Sequence, residues 1–289
     1  MEEQQLISQL PVDIFDIPRP PTISVVIPAR NEAQNLRYVL PLIPAFVSEV
    51  ILVDGHSSDN TIEEALSLMP SIRIIKQSGK GKGDALRAGF AASTGDIIVM
   101  LDADGSADPA EIRQFVQALE QGYDFAKGSR FLVGGGSVDI THFRRWGNAL
   151  LSKFVNVLFD TEFSDLCYGY NAFWKDCLNQ VIVDCDGFEV ETQLNLRMHE
   201  TNMKIVEVPS FEHARIHGES NLHAARDGWR VLQTILREWS QKRSQKRKIT
   251  STKPVLVQTY QQDAHNAAKF SYSFFNFDIN IQISRKKAI

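Results

Sequence analysis

The residues of this chain best suited to chemistry begin with three aspartates. In Val99-Met-Leu-Asp-Ala-Asp-Gly-Ser-Ala-Asp-Pro109 the short apolar run Asp96-Ile-Ile-Val-Met-Leu101 ends in carboxylates. Such a run reads as a strand covered on both faces, yet carboxylates are among the side chains least often buried unpaired. Asp108-Pro109 reads as a helix N-cap with Pro at the first helical position. Asp102 and Asp104 remain, and their plain alternative is a pair of turn formers. A turn at Ala103 lets both converge on one point at the strand's carboxyl end. There they suit a divalent cation with oxygen ligands, Mg2+ or Mn2+, which usually sits on one or two carboxylates plus substrate phosphates. Its work would be electrostatic, neutralising a diphosphate leaving group while the bond to carbon breaks. A lone Asp-x-Asp is weak evidence, because Asp-rich turns are common.

The elements that must position these aspartates repeat one pattern. Ile23–Ile27, Glu49–Val53, Ile72–Ile75 and Asp96–Leu101 read as strands, with helices from Glu32 to about Phe46, Asp59 to Met69 and Asp84 to Ser93 between them. This alternation of apolar strands and helices implies an α/β fold, a mostly parallel sheet with helices on both faces. Ligands in such sheets bind outside the carboxyl ends of the strands. That rule puts Arg30-Asn31-Glu32, Asp54 and Asp102–Asp104 along one rim. A helix follows from Pro109 to about Gln121, then a strand at Tyr123–Lys127, and Gly134-Gly-Gly136 has the flexibility used in lids. Phe143–Phe159 reads as a helix, with short strands within 165–175 and 203–210 around a helix at Val190–His199.

The ends of the chain differ from this middle. Residues 1–21 are polar and proline-punctuated, an extended lead-in to a main domain at 22–223. From Ala224 a helix carries Trp229, Leu232, Ile235, Leu236 and Trp239 at helical spacing and runs into the basic end Lys242–Lys248. Residues 224–248 therefore read either as a core-packed helix with a solvated cationic end or as a helix resting on an anionic membrane. Residues 249–289 show no clear periodicity, although Phe270–Phe277 alternates roughly as a strand does.

Composition bounds the class. The 289 residues are 43% hydrophobic and 23% charged, with net charge −4, which argues against a nucleic-acid binder needing a basic face. Cys167, Cys177 and Cys185 form no Cys-x-x-Cys pair, so a reducing compartment and buried thiols are expected. The first fifteen residues lack the basic and apolar regions of a signal peptide, and no stretch approaches the roughly 18 apolar residues of a membrane span.

SVVIPARNE, ILVDGHSSDNT, GKGDALRAGF and VMLDADGSADP occur in that order at βα spacing. Together they resemble the nucleotide-sugar-binding half of family 2 glycosyltransferases with the GT-A (Rossmann-like) fold. Within that family the chain is most similar, over about residues 22–223, to the dolichyl- or polyprenyl-phosphate mannosyl- and glucosyltransferases. The resemblance implies inverting, metal-dependent hexose transfer from GDP-mannose or UDP-glucose to a polyprenyl phosphate at the cytoplasmic face of a membrane. Attachment there would be peripheral or through a membrane-protein partner, with a homodimer as a further arrangement.

On matching positions the resemblance implies donor contacts at Pro28, Arg30, Asn31, Glu32, Asp54, Lys82, Asp102, Ala103 and Asp104. It implies metal ligation by Asp102 and Asp104, with Ser106 two residues on where an amide or carboxylate would ligate better. Arg130 in Gly128-Ser-Arg130, Arg144-Arg145 and Ser152, and Arg215 and Ser220 in RIHGESN are implied to hold the acceptor's phosphate. Adjacent arginines also read as a surface charge pair, and Arg130 opposite Asp102 and Asp104 as a plain salt bridge. Asp165 and Glu191 are the candidate bases. A sugar hydroxyl must lose its proton and calls for such a base. A phosphomonoester is already anionic near neutral pH, its second pKa being about 6, and needs cations instead. The supply of cations favours the lipid phosphate. A hydroxyl acceptor is the alternative, and a non-catalytic nucleotide-sugar-binding module the minor one. A sugar-nucleotide pyrophosphorylase would carry a Gly-rich signature where Pro28-Ala-Arg-Asn-Glu32 stands.

Overall fold

The protein is described by a computed structural model covering residues 19–219, 222–251, 258–262, 268–274 and 277–283, with side chains up to Ser244. Most of the expected lead-in, the candidate Ser220 and the side chains of Gln245–Lys248 lie outside the described residues. The chain divides into two compact units, Met1–Trp239 and Ser240–Ile289.

In the first unit β1 (Ile23–Ala29), α1 (Ala33–Val39), β2 (Glu49–Asp54), α2 (Thr61–Leu68), β3 (Arg73–Lys76), α3 (Lys82–Ala92) and β4 (Ile97–Met100) follow in alternation. Then come α4 (Ile112–Glu120), β5 (Phe125–Ser129), β6 (Gly136–Ser137), α5 (His142–Phe159), β7 (Asn171–Trp174), α6 (Val190–Glu200), β8 (Ile205–Pro209), β9 (Phe211–Glu212) and the start of α7 (Ala224–Ser251). Seven strands make one sheet in the order β3-β2-β1-β4-β7-β5-β8. It is parallel except at β7, which runs antiparallel to β4 and β5.

Strand β4 is central and buried throughout. The alternation of side chains along a strand divides the apolar residues between two cores. Val25, Ile27, Ile97, Val99 and Leu101 pack with Leu36 and Val39 of α1 and Ile112, Phe115 and Leu119 of α4. Val26, Ile98 and Met100 pack on the other face with Leu86 and Phe90 of α3 and Val190, Leu194 and Met198 of α6. Each such side chain, fully buried, contributes about 1.5–3 kcal/mol, so both faces hold β4, and with it the start of the Asp102 turn, in place. Asp108 caps the next helical segment, Oδ1 accepting from the Ala110 amide at 2.9 Å, with Pro109 at its first position.

Three expectations are corrected. The first helix stops at Val39 rather than near Phe46, because Pro41 opens a 3-10 turn at Leu40–Leu42 and proline cannot continue a helix. Gly134–Gly136 is no free lid: the Gly136 amide donates to the Ser210 carbonyl and β6 pairs with β9. The buried face of α7 is Asp227, Val231, Thr234, Ile235 and Glu238, while Trp229 and Leu236 are exposed. Val231 and Ile235 pack with Val155 and Phe159 of α5 and Leu196 of α6, so this stretch of α7 is core-packed. Among the described residues no helix is long and apolar enough to cross a membrane. In the second unit β10 (Gln258–Gln262), β11 (Ala268–Phe274) and β12 (Phe277–Ile283) form an antiparallel sheet in sequence order.

Candidate active site

A cavity of about 960 Å³ opens at the carboxyl ends of β1, β2, β3 and β4. Of the residues singled out in the sequence, Pro28, Arg30, Glu32, Lys82, Asp102, Ala103, Asp104, Ser106, Arg144, Glu191 and Arg215 line it. Two ion-pair groups dominate its wall. Lys82 Nζ stands 2.6 Å from Asp102 Oδ1 and 2.7 Å from Glu191 Oε1. Arg215 reaches Asp104 Oδ2 and Glu32 Oε1, each at 3.0 Å. The second aspartate is also held from below, because the Ser106 amide and hydroxyl donate to Asp104 Oδ1 at 3.0 and 2.7 Å. Ser106 therefore orients Asp104, which departs from the direct metal contact expected of it.

Backbone close approach explains the glycines around this group. Gly81, at φ +96°, lets the chain turn so that Lys82 opens α3, and a Cβ there would lie 2.2 Å from the Asp186 carbonyl. A Cβ on Gly169 would stand 2.5 Å from Glu191 Oε1 and 2.7 Å from Lys82 Nζ, so any side chain there would invade the ion pair. Burial alone would discharge Lys82, but the two carboxylates beside it outweigh that and keep it protonated. Burial raises Glu191 against the pull of Lys82, with the Asp102 charge adding to the rise. Burial also raises Glu32, opposed by Asn35 and Arg215. Asp102 and Asp104 are oxygen donors on one turn beside the Lys82 and Arg215 cations. That donor set fits a hard divalent ion whose remaining ligands are phosphate oxygens and water; among the described residues no three His, Cys, Asp or Glu side chains form a ready site.

Other expected residues stand elsewhere. Arg130 is buried and fully engaged: Nε and Nη2 donate to Asp165 at 2.7 and 3.0 Å and Nη1 to Glu212 at 3.0 Å. It has no free fork for a phosphate, and its partner is Asp165 rather than Asp102 or Asp104. Asp165 itself is wholly buried off the cavity. Burial would raise its carboxyl, but the hydrogen bonds and charge of Arg130 prevail and hold it below its usual range, which removes it as a base. Ser152 is buried in α5 with an unpartnered hydroxyl, and Arg145 lies over the Phe131 ring at 5.3 Å; neither lines the cavity. Asn31, at φ +58°, laces two loops by accepting from the Ser58 amide at 2.7 Å. Asp54, buried, accepts from the Ser57 amide at 3.2 Å and closes the turn after β2. Both shape the rim without lining the cavity.

The family description "Glycosyl transferase family 2" matches residues 24–182. The chain belongs to that family. It is accordingly a glycosyltransferase, and its mostly parallel sheet is the GT-A fold. "Glycosyltransferase AglJ" of Haloferax volcanii is 28% identical over 76% of this chain and 73% of its own length. The "Dolichol-phosphate mannosyltransferase" of Pyrococcus furiosus is 29% identical over 69% of this chain, which spans 59% of that relative. In fold the chain resembles glucosyl-3-phosphoglycerate synthase from Mycobacterium tuberculosis, solved with Mn2+, UDP and phosphoglyceric acid, at a TM-score of 0.61 and 20% identity over 91% of this chain and 88% of that one.

The cavity of the glycosyltransferase also carries residues that sequence reading passed over: His56, Asp139, Glu212, His223, Arg226, Asp227 and Arg230. Glu212 arrives through the short β6–β9 pairing, which has no sequence signature. Arg226 and Arg230 have one, since they are four apart on a helix and so share a face.

Proposed function

We propose that the enzyme transfers a hexose, with inversion, from a nucleotide sugar such as GDP-mannose or UDP-glucose to a polyprenyl phosphate, and depends on Mg2+ or Mn2+. The observation that carries this reading is the cavity wall itself, where Asp102 and Asp104 face Lys82 and Arg215 at 2.6 and 3.0 Å. Asp102 and Asp104 would hold the ion, whose contribution when bound is neutralisation of the diphosphate. With the ion on the aspartates, Lys82 and Arg215 would be the wall's cations for the leaving group's oxygens, and a charged donor of this kind stabilises developing negative charge. The relative named for dolichol phosphate and the Mn2+ and UDP of the fold neighbour support the same reading. Peripheral membrane contact is supported by α5, where Phe143, Trp146, Leu150 and Val157 are 61%, 66%, 54% and 75% exposed. Their spacing puts them on one face, and α5 also carries Arg144, Arg145 and Lys153 and no acidic residue, the composition of a helix that lies on anionic lipid.

A hydroxyl acceptor is the second reading, favoured by Glu191, a buried carboxylate on the wall whose proton affinity is raised. The test is transfer of radiolabelled sugar from UDP-glucose and GDP-mannose into organic-soluble product with polyprenyl phosphate, with and without Mn2+. Metal-dependent label in the lipid phase, absent in Asp104→Ala, is the expected result. Donor consumed without lipid label turns the assignment to a hydroxyl acceptor. A product that keeps the donor's anomeric configuration refutes inversion.

A further inference from the structure

Arg130, Arg145 and Ser152 do not line the cavity, and Lys82 and Arg215 there are engaged by Asp102, Glu191, Asp104 and Glu32. We propose that Arg226 and Arg230, on the first turns of α7, form the anchoring site for the acceptor's phosphate monoester; this rests on the polyprenyl-phosphate reading for the lipid but not for the anion. Both side chains line the cavity while remaining 58% and 48% exposed. Both are tethered to one carboxylate, Asp227, whose Oδ1 accepts from Arg226 Nε and from Arg230 Nη1 at 3.4 Å each. Asp227 is buried, and its Oδ2 is taken by the His223 amide at 2.8 Å.

This arrangement differs from that of Arg130 and Arg215 in how many donors it leaves for a ligand. Arg130 spends donors from all three nitrogens on Asp165 and Glu212, and Arg215 spends both terminal nitrogens on Glu32 and Asp104. A guanidinium has five N–H donors. Among the described residues Arg226 and Arg230 each commit one, over a long distance, to a shared oxygen. Two cations against one carboxylate leave a net positive charge and uncommitted guanidinium donors at the cavity wall. Guanidinium forks match the oxygens of a dianionic phosphate bidentately. Arg144, paired with Asp139 at 3.3 Å, and Arg30 also line the cavity.

The same chemistry would hold a prenyl phosphate or a soluble phosphate monoester, so the experiment uses both. The full chain and its Arg226→Gln/Arg230→Gln variant are titrated calorimetrically with geranyl phosphate, glycerol 3-phosphate and GDP or UDP, and steady-state KM is measured for donor and polyprenyl phosphate. Loss of charge-assisted hydrogen bonds of this kind is expected to weaken phosphate binding by about ten- to a hundredfold. Acceptor KM should rise in step, with nucleotide affinity unchanged. The melting temperature falls, because the buried Asp227 loses both its cations, so binding is measured well below the transition. Arg226→Lys/Arg230→Lys, which keeps the charges without the fork, controls for the loss of stability and should fall between in affinity. Tighter wild-type binding of geranyl phosphate than of glycerol 3-phosphate identifies the lipid source, and the reverse order the soluble one. If the wild type binds these probes through the pair yet moves no sugar to lipid, the lipid reading fails and the anion site stands. If lipid transfer is intact in the Gln variant with acceptor KM unchanged, or wild type binds neither monoester, the anion site is refuted.

Discussion

Arg130 offers the sharpest separation between a ligand-binding and a structural arginine, and Arg130→Met tests it. Its side chain is 2% exposed, that of Asp165 0% and that of Glu212 9%. Met fills similar volume but leaves two carboxylates in a low-dielectric interior without their cation. Removing one partner of such a buried pair costs about 3–5 kcal/mol. For a domain of this size each kcal/mol shifts Tm by about 2–4 °C, so a loss near 4 kcal/mol lowers Tm by about 8–16 °C. The assay is thermal unfolding of ligand-free protein, with urea unfolding as the independent measure. Asp165→Asn should lose a similar amount, and the double variant Arg130→Met/Asp165→Asn much less than the sum, because residues in direct contact are not additive. Below the melting transition the acceptor KM of Arg130→Met should stay within about threefold of wild type, a change worth under 1 kcal/mol. An Arg130→Met protein that melts within 2 °C of wild type while its acceptor KM rises tenfold or more would refute the reasoning and return Arg130 to the phosphate.

Glu191→Gln separates the two acceptor readings: kcat falls less than about tenfold if the acceptor is a phosphate, and about 10²–10⁴-fold if Glu191 removes a hydroxyl proton, read by single-turnover kinetics. Gly169→Ala should cut transfer at least about tenfold with Tm nearly unchanged, since its Cβ would displace the flexible ends of Glu191 and Lys82 and crowd that of Asp102 rather than backbone; unchanged kinetics would mean the ion pair has no bearing on catalysis. Burial would raise Glu49, but hydrogen bonds from Ser24, Thr94 and Arg73 overcome it and hold the carboxyl at about 2. Its stabilising contribution is therefore complete above the ordinary carboxylate range near 4.5 and is lost as pH falls toward 2. Glu49→Gln should accordingly be less stable than wild type at pH 7 by urea unfolding, with the gap closing between about pH 4.5 and 2.

What could be read in the sequence and what could not divides along a physical line. Asp102, Asp104, Glu32 and Lys82 were legible because a strand end, a turn and a helix start within a few residues fix where each side chain goes. The succession of β1 to β4 along the chain was legible for the same reason; their order in the sheet and the antiparallel insertion of β7 were not, since nothing local fixes a buried strand's neighbours or direction. The cations were harder. Arg130 and Arg215 both end short strand-like segments, yet one meets Asp165 and Glu212, 35 and 82 residues away, and the other Glu32 and Asp104. Whether an arginine is available to a ligand depends on the carboxylates it meets, and those meetings are tertiary. The same holds for α7: its apolar stripe suggested which face to bury, but Asp227 and Glu238 lie on the buried face because arginines from α6 and α7 neutralise them. Once neutralised, a carboxylate at the core boundary costs little, and the helix turns to bury Val231 and Ile235 while presenting Arg226 and Arg230 to the cavity. Hydropathy alone therefore misplaced the rotation of α7, and the error concealed the pair of arginines assigned here to the acceptor.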